Sequence, residues 1–135
     1  MNENDSLQPE VRSAIEAAQN KKAANIIVLD LSGLGAFTTY FLVCTAFSTP
    51  QASAIGDEIE HQLSKLGLKI AHREGRGNSE WVLLDYGNLI VHVFTERARL
   101  YYDLERLWRS ARRISIPDLE APSMPASFDQ GAAEA

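Results

Sequence analysis

Residues 81–94 read WVLLDYGNLIVHVF, two apolar-rich runs around Gly87-Asn88. A two-residue loop of this composition closes a β-hairpin and fixes its register. Tyr86 then faces Leu89, Leu84 faces Val91 and Val82 faces Val93. That side is almost wholly apolar and belongs to a core. On the other side Asp85 faces Ile90, Leu83 faces His92 and Trp81 faces Phe94. A carboxylate and an imidazole argue against full burial there, yet each large aromatic offers ~150–250 Å² of apolar surface. An uncovered face of this kind exceeds what soluble monomers usually leave idle. The spacing predicts a partner-binding surface, with cover by a following helix or by a second copy as the alternative.

Downstream, Thr95 is an N-cap and a helix is expected to run to about Arg113. Leu100, Leu104, Leu107, Trp108 and Ala111 form its buried stripe, and Glu105–Arg109 and Asp103–Arg106 are spaced as surface ion pairs. Tyr101 and Tyr102 flank the stripe, and Tyr101 joins Trp81, Leu83, Asp85, Ile90, His92 and Phe94 as a candidate contact. Arg106, Arg109, Arg112 and Arg113 are read as complementing the helix dipole rather than as a phosphate site.

Upstream, residues 9–22 predict a helix opened by Pro9, and NIIVLDL (25–31) a strand. TYFLVCTA (39–46) is apolar on both faces and so central in a sheet. Thr49-Pro50 caps and opens a helix with Ile55, Ile59, Leu63 and Leu66 on one side, ended by Gly67. Residues 68–73 alternate as a half-exposed strand, and 74–79 form a loop. The order α-β-β-α-β-β-β-α predicts a mixed five-stranded α/β sheet with packed helices. The second and third strands would form a parallel crossover pair.

The 135 residues suit one domain at 9–114, between a flexible 1–8 and an acidic, disordered 115–135. The net charge of −5 is concentrated at the C-terminus, since residues 1–117 hold 13 bases and 14 acids. Broad capture of nucleic acid is disfavoured, and no sequence-specific contact to it is expected. No apolar run approaches the ~18 residues of a membrane span, and the N-terminus lacks secretory features. A single cysteine, Cys44, excludes an internal disulfide, and a cytoplasmic protein is expected.

The segment WVLLDYGNLIVHVF, with the later YYDLERLW and the earlier YFLVCTAFSTPQASAIGDEIE, resembles the ribosomal silencing factor (Iojap-like) family over about residues 10–108. Trp81, Leu84, Asp85, Gly87, Val91, His92, Phe94, Tyr102, Leu104, Glu105, Leu107 and Trp108 fall on characteristic positions. The chain departs from the family pattern at Thr39 and at Ala46-Phe47-Ser48. The resemblance implies a nucleotidyltransferase-like fold without the catalytic site. It also implies a translational repressor that binds the large ribosomal subunit through ribosomal protein L-fourteen, blocking small-subunit joining when nutrients are scarce. A part in large-subunit assembly is implied as well.

The competing readings are a homodimeric interaction module and an active nucleotidyltransferase. The Asp103-Leu104-Glu105 triplet lies on the expected last helix, where residues two apart diverge by ~200° and cannot share one metal. Asp57 and His61 lack an evident third ligand, Gly75-Arg76-Gly77 is too short for a phosphate loop, and Cys44 lies in an apolar strand. No catalytic residue, metal or cofactor is expected.

Overall fold

The computed structural model describes residues 7–118. Helix α1 (Pro9–Asn20) leads to strands β1 (Ala24–Asp30) and β2 (Tyr40–Ala46), then to helix α2 (Thr49–Lys65). Strands β3 (His72–Glu74), β4 (Trp81–Asp85) and β5 (Leu89–Thr95) follow, then α3 (Glu96–Tyr102), a short α4 (Leu104–Leu107) and β6 (Arg112–Ile116). The strands form one six-stranded mixed sheet in the order β3-β4-β5-β2-β1-β6. The expected five strands are therefore corrected to six.

The hairpin has the expected register: Trp81 faces Phe94, Leu83 faces His92 and Asp85 faces Ile90. Gly87 supplies the turn's positive φ of 89°, and Tyr86 N–H donates to the Leu89 carbonyl at 2.9 Å.

The expected parallel partner of β2 is wrong. β2 pairs in parallel with β5, while β3 pairs antiparallel with β4 at the sheet edge. Burial explains the choice. β2 and β5 are apolar on both faces and stabilise the centre, whereas the short His72-Arg73-Glu74 is largely exposed and suits an edge.

One face of the sheet packs Val28, Leu42, Cys44, Val82, Leu84 and Val91 under α1 and α2. Ser48, not Thr49, caps α2, its hydroxyl accepting from Gln51 N–H at 3.1 Å. Gln51 reaches back in turn, its carbonyl oxygen accepting from Phe47 N–H at 2.7 Å. Its amide donates to the Lys21 and Lys22 carbonyls, tying α2 to the end of α1.

The opposite face packs Ile27, Leu29, Phe41, Val43, Ile90 and Phe94 against Ala98, Leu104, Trp108 and Ala111. The long last helix expected from sequence is broken at Asp103, which adopts a left-handed φ of 50°. Beyond it Leu104, Trp108 and Ala111 turn to the sheet, but Leu100 and Leu107 point into solvent, against the expected stripe. Glu105 pairs with Arg99 rather than with the expected Arg109. It takes two hydrogen bonds from Arg99, at 2.9 and 3.2 Å, and Arg99 also donates to the Asn25 carbonyl and the Thr45 hydroxyl. The chain then returns as β6 beside β1, placing Ile114 opposite Val28, so ordered structure extends past residue 114. The acidic tail from 119 onward and residues 1–6 lie outside the described residues. No helix among the described residues is long and apolar enough to cross a membrane.

Candidate functional site

Cross-strand pairing brings six of the predicted residues to one face of β4 and β5, in two layers. Trp81, Leu83 and Asp85 on β4 are half-buried, while Ile90, His92 and Phe94 on β5 are buried. The inner layer is closed by the protein's own aromatics. Tyr102 of α3 packs on Trp81 with ring centroids 4.5 Å apart and on Phe94 at 5.9 Å, and Phe94 is left 1% exposed. Trp81 in turn contacts Phe94 at 5.0 Å. Trp81 and Phe94 therefore form a wall that α3 backs.

Towards the sheet edge this cover stops. A groove of about 340 Å³ remains, lined by Phe37, Phe41, His72, Glu74, Leu83, Asp85, Ile90 and His92. Four predicted residues, Leu83, Asp85, Ile90 and His92, share it. Sequence reasoning missed Phe37, Phe41, His72 and Glu74. Phe37 stands 76% exposed in the loop between β1 and β2, edge-on to Phe41. An aromatic between Gly35 and Thr38, outside any periodic element, was the one local signal available. His72 and Glu74 reach the groove because β3 pairs His72 with Asp85 and Glu74 with Leu83. Tyr101 is not in the groove. It is 80% exposed on the far side of α3, near Leu100, Arg106 and Leu107.

The groove's charge is set by its rim. The Asp85 carboxylate accepts from Gly87 N–H at 2.8 Å, and Glu74 is bonded to His72 Nε2 at 2.8 Å. At the floor, Trp81 Nε1–H donates to His92 Nδ1 at 3.1 Å. Indole nitrogen only donates, so Nδ1 is the acceptor and the neutral ring carries its proton on Nε2. Burial pulls the His92 pKa down to about 4, which keeps the ring neutral near pH 7.

The thiol and several of the carboxylates weighed for catalysis are buried or already engaged by neighbouring groups. Burial pushes the Cys44 thiol up to about 12, so it is not a thiolate nucleophile. Glu105 is engaged by Arg99, Asp57 by Arg73, and Asp30 accepts from the Ser32 hydroxyl at 2.5 Å. Among the described residues no group of three or more His, Cys, Asp or Glu could hold a metal ion.

Comparison with known proteins agrees with this architecture. The family model described as ribosomal silencing factor during starvation matches residues 4–135. A ribosomal silencing factor of Bacillus subtilis is 39% identical over 101 residues, 75% of this chain and 86% of its own length. One from Halalkalibacterium halodurans is 34% identical over 111 residues, covering 82% of this chain and 95% of its own. A crystal structure of a Chromobacterium violaceum protein superposes with a TM-score of 0.73 at 33% identity, over 96% of this chain and 97% of that one. On the match of sequence and of fold, the chain belongs to the ribosomal silencing factor family.

Proposed function

We propose that this protein represses translation in the cytoplasm by binding the large ribosomal subunit through ribosomal protein L-fourteen, so that the small subunit cannot dock. The observation that carries the reading is the groove beside β4, with an apolar floor and an acidic rim. Phe37, Leu83 and Ile90 offer it apolar contact, while Glu74 and Asp85 favour Lys or Arg and repel phosphate. A basic protein surface fits that chemistry better than ribosomal RNA does. Trp81, His92 and Phe94 hold the groove's shape from within, and Tyr101 extends the contact across α3.

The groove alone is smaller than the ~800 Å² that a standard interface removes per partner, so the exposed side chains around it must contribute. A folded chain of this length has a radius of gyration of about 14 Å. Such a body, held on the subunit's joining face, excludes the small subunit by volume and needs no catalytic step.

Subunit association followed on sucrose gradients, with and without the protein, tests the reading. The wild type should co-sediment with large subunits and reduce the joined particle. Asp85→Lys, which reverses a rim charge, should weaken binding roughly tenfold while leaving the circular dichroism unchanged. Leu83→Arg tests the apolar contact similarly. Trp81→Ala is a poorer probe because Trp81 packs on Tyr102, Phe94 and His92. If the variants only turn a dimer into a monomer and ribosome binding is unchanged, the face is a homodimer contact and the proposal fails.

A further inference from the structure

The His92 Nε2–H is the one hydrogen-bonding group of the groove floor that folding leaves without a partner. Nδ1 is satisfied by Trp81 at 3.1 Å, whereas Nε2 is buried with no hydrogen-bond partner. The ring is 4% exposed, held between Phe94 (stacked, centroids 6.0 Å apart) and Phe41 (edge-on, 4.6 Å). Buried donors are almost always paired, and leaving one unmade costs about 1–3 kcal/mol. Phenylalanine in the same place would fill the volume without that cost, so packing does not account for the imidazole. Accepting from Trp81 accounts for Nδ1, but it leaves the cost at Nε2–H uncompensated.

We infer that His92 Nε2–H is a preformed donor for the docked partner, taking an uncharged acceptor such as a main-chain carbonyl on the segment that enters the groove. The inference rests on the reading of this groove as the partner-binding face. The occupant is a protein segment with three features: an apolar side chain against Leu83 and Ile90, a carbonyl at His92, and a Lys or Arg at Glu74 and Asp85. Phosphate is disfavoured by those carboxylates, so nucleic acid is not the occupant. Access requires the rim to give slightly. Phe37 can do so, being exposed on a loop that contains Gly33 and Gly35, both at positive φ. His92 is thus a specificity residue: a partner without an acceptor at that point leaves Nε2–H buried and unpaired.

Two measurements on the full chain with ribosomal protein L-fourteen test this. In nitrogen-15 spectra of the imidazoles, the free protein should show His92 as the Nε2–H tautomer, and the Nε2–H proton should move downfield and become exchange-protected on complex formation. In titrations, His92→Phe should weaken binding roughly ten- to a hundredfold, while His92→Gln, which keeps an N–H near that position, stays within a few-fold. An Nε2–H signal that does not move when the complex forms overturns the inference, whether or not the variants fold. Equal binding by wild type and a folded His92→Phe does the same. If the wild type binds neither L-fourteen nor large subunits, the ribosomal reading falls, and this inference with it. If the wild type binds but His92 is indifferent, only the role of His92 falls.

Discussion

His92 is buried against Trp81 and two phenylalanines, and burial takes its pKa from 6.5 down to about 4. Between those values the unfolded chain binds a proton that the folded chain refuses. The contribution to stability is therefore complete above the unfolded pKa and is lost as pH falls towards the folded one. The full difference is roughly 3 kcal/mol. Urea unfolding at pH 7.5 and pH 4.5 should show the wild type losing more stability than His92→Gln, since other carboxylates and histidines titrate alike in both. Equal losses would mean that the ring is solvated in solution. A second single-residue effect belongs to Gln51, whose carbonyl oxygen and amide serve Phe47 N–H and two carbonyls at the end of α1. Gln51→Ala leaves those groups to water and should cost about 1–2 kcal/mol in the same assay. No change would show that the α1–α2 junction is held by apolar contacts alone.

Helix α2 rests on β4 through Gly56, where an added Cβ would lie 3.0 Å from Val82 and 3.2 Å from the Arg73 guanidinium. Both neighbours are buried, and Arg73 is held by Asp57 and Glu60, so neither can give way easily. Gly56→Ala gains about 1 kcal/mol in helix propensity but costs about 1–3 kcal/mol in overpacking. We expect a net loss of about 1 kcal/mol by thermal denaturation; a gain would show that the α2–β4 spacing is slack. Elements differed in how far sequence revealed them, and the reason is range. The β4–β5 hairpin was legible because its turn and its alternation lie within one short stretch. So were the groove residues Leu83, Asp85 and His92, which follow from that register. Strand β6 was not, because Arg112–Ile116 becomes a strand by pairing with β1 at the other end of the chain. The helix break was not legible either, since Asp103 in a left-handed conformation leaves no periodic signature. Phe37, His72 and Glu74 escaped for the same reason as β6, as a loop and an edge strand bring them to the groove.

Charge along the whole chain is uneven, and that bears on how the molecule meets a ribosome. Removing residues 119–135 takes out Glu120, Asp129 and Glu134 and no base, shifting the formal net charge from −5 to −2. The last described contacts precede the cut: Gln19 donates to the Pro117 carbonyl, and Asn25 N–H donates to the Asp118 carboxylate. Among the described residues, both sheet faces and the groove are formed by positions before Asp118. A chain ending at Asp118 should therefore keep its melting temperature within a degree or two. Its association with large subunits should be a few-fold faster at low salt, because three like-signed charges no longer oppose approach to a phosphate-rich particle. The gain should fade as salt rises and the Debye length shortens to ~8 Å. Stopped-flow association of labelled protein at two ionic strengths measures this directly. Slower association of the truncated chain would mean that the acidic tail makes attractive contacts of its own, with basic ribosomal protein surface as its natural target.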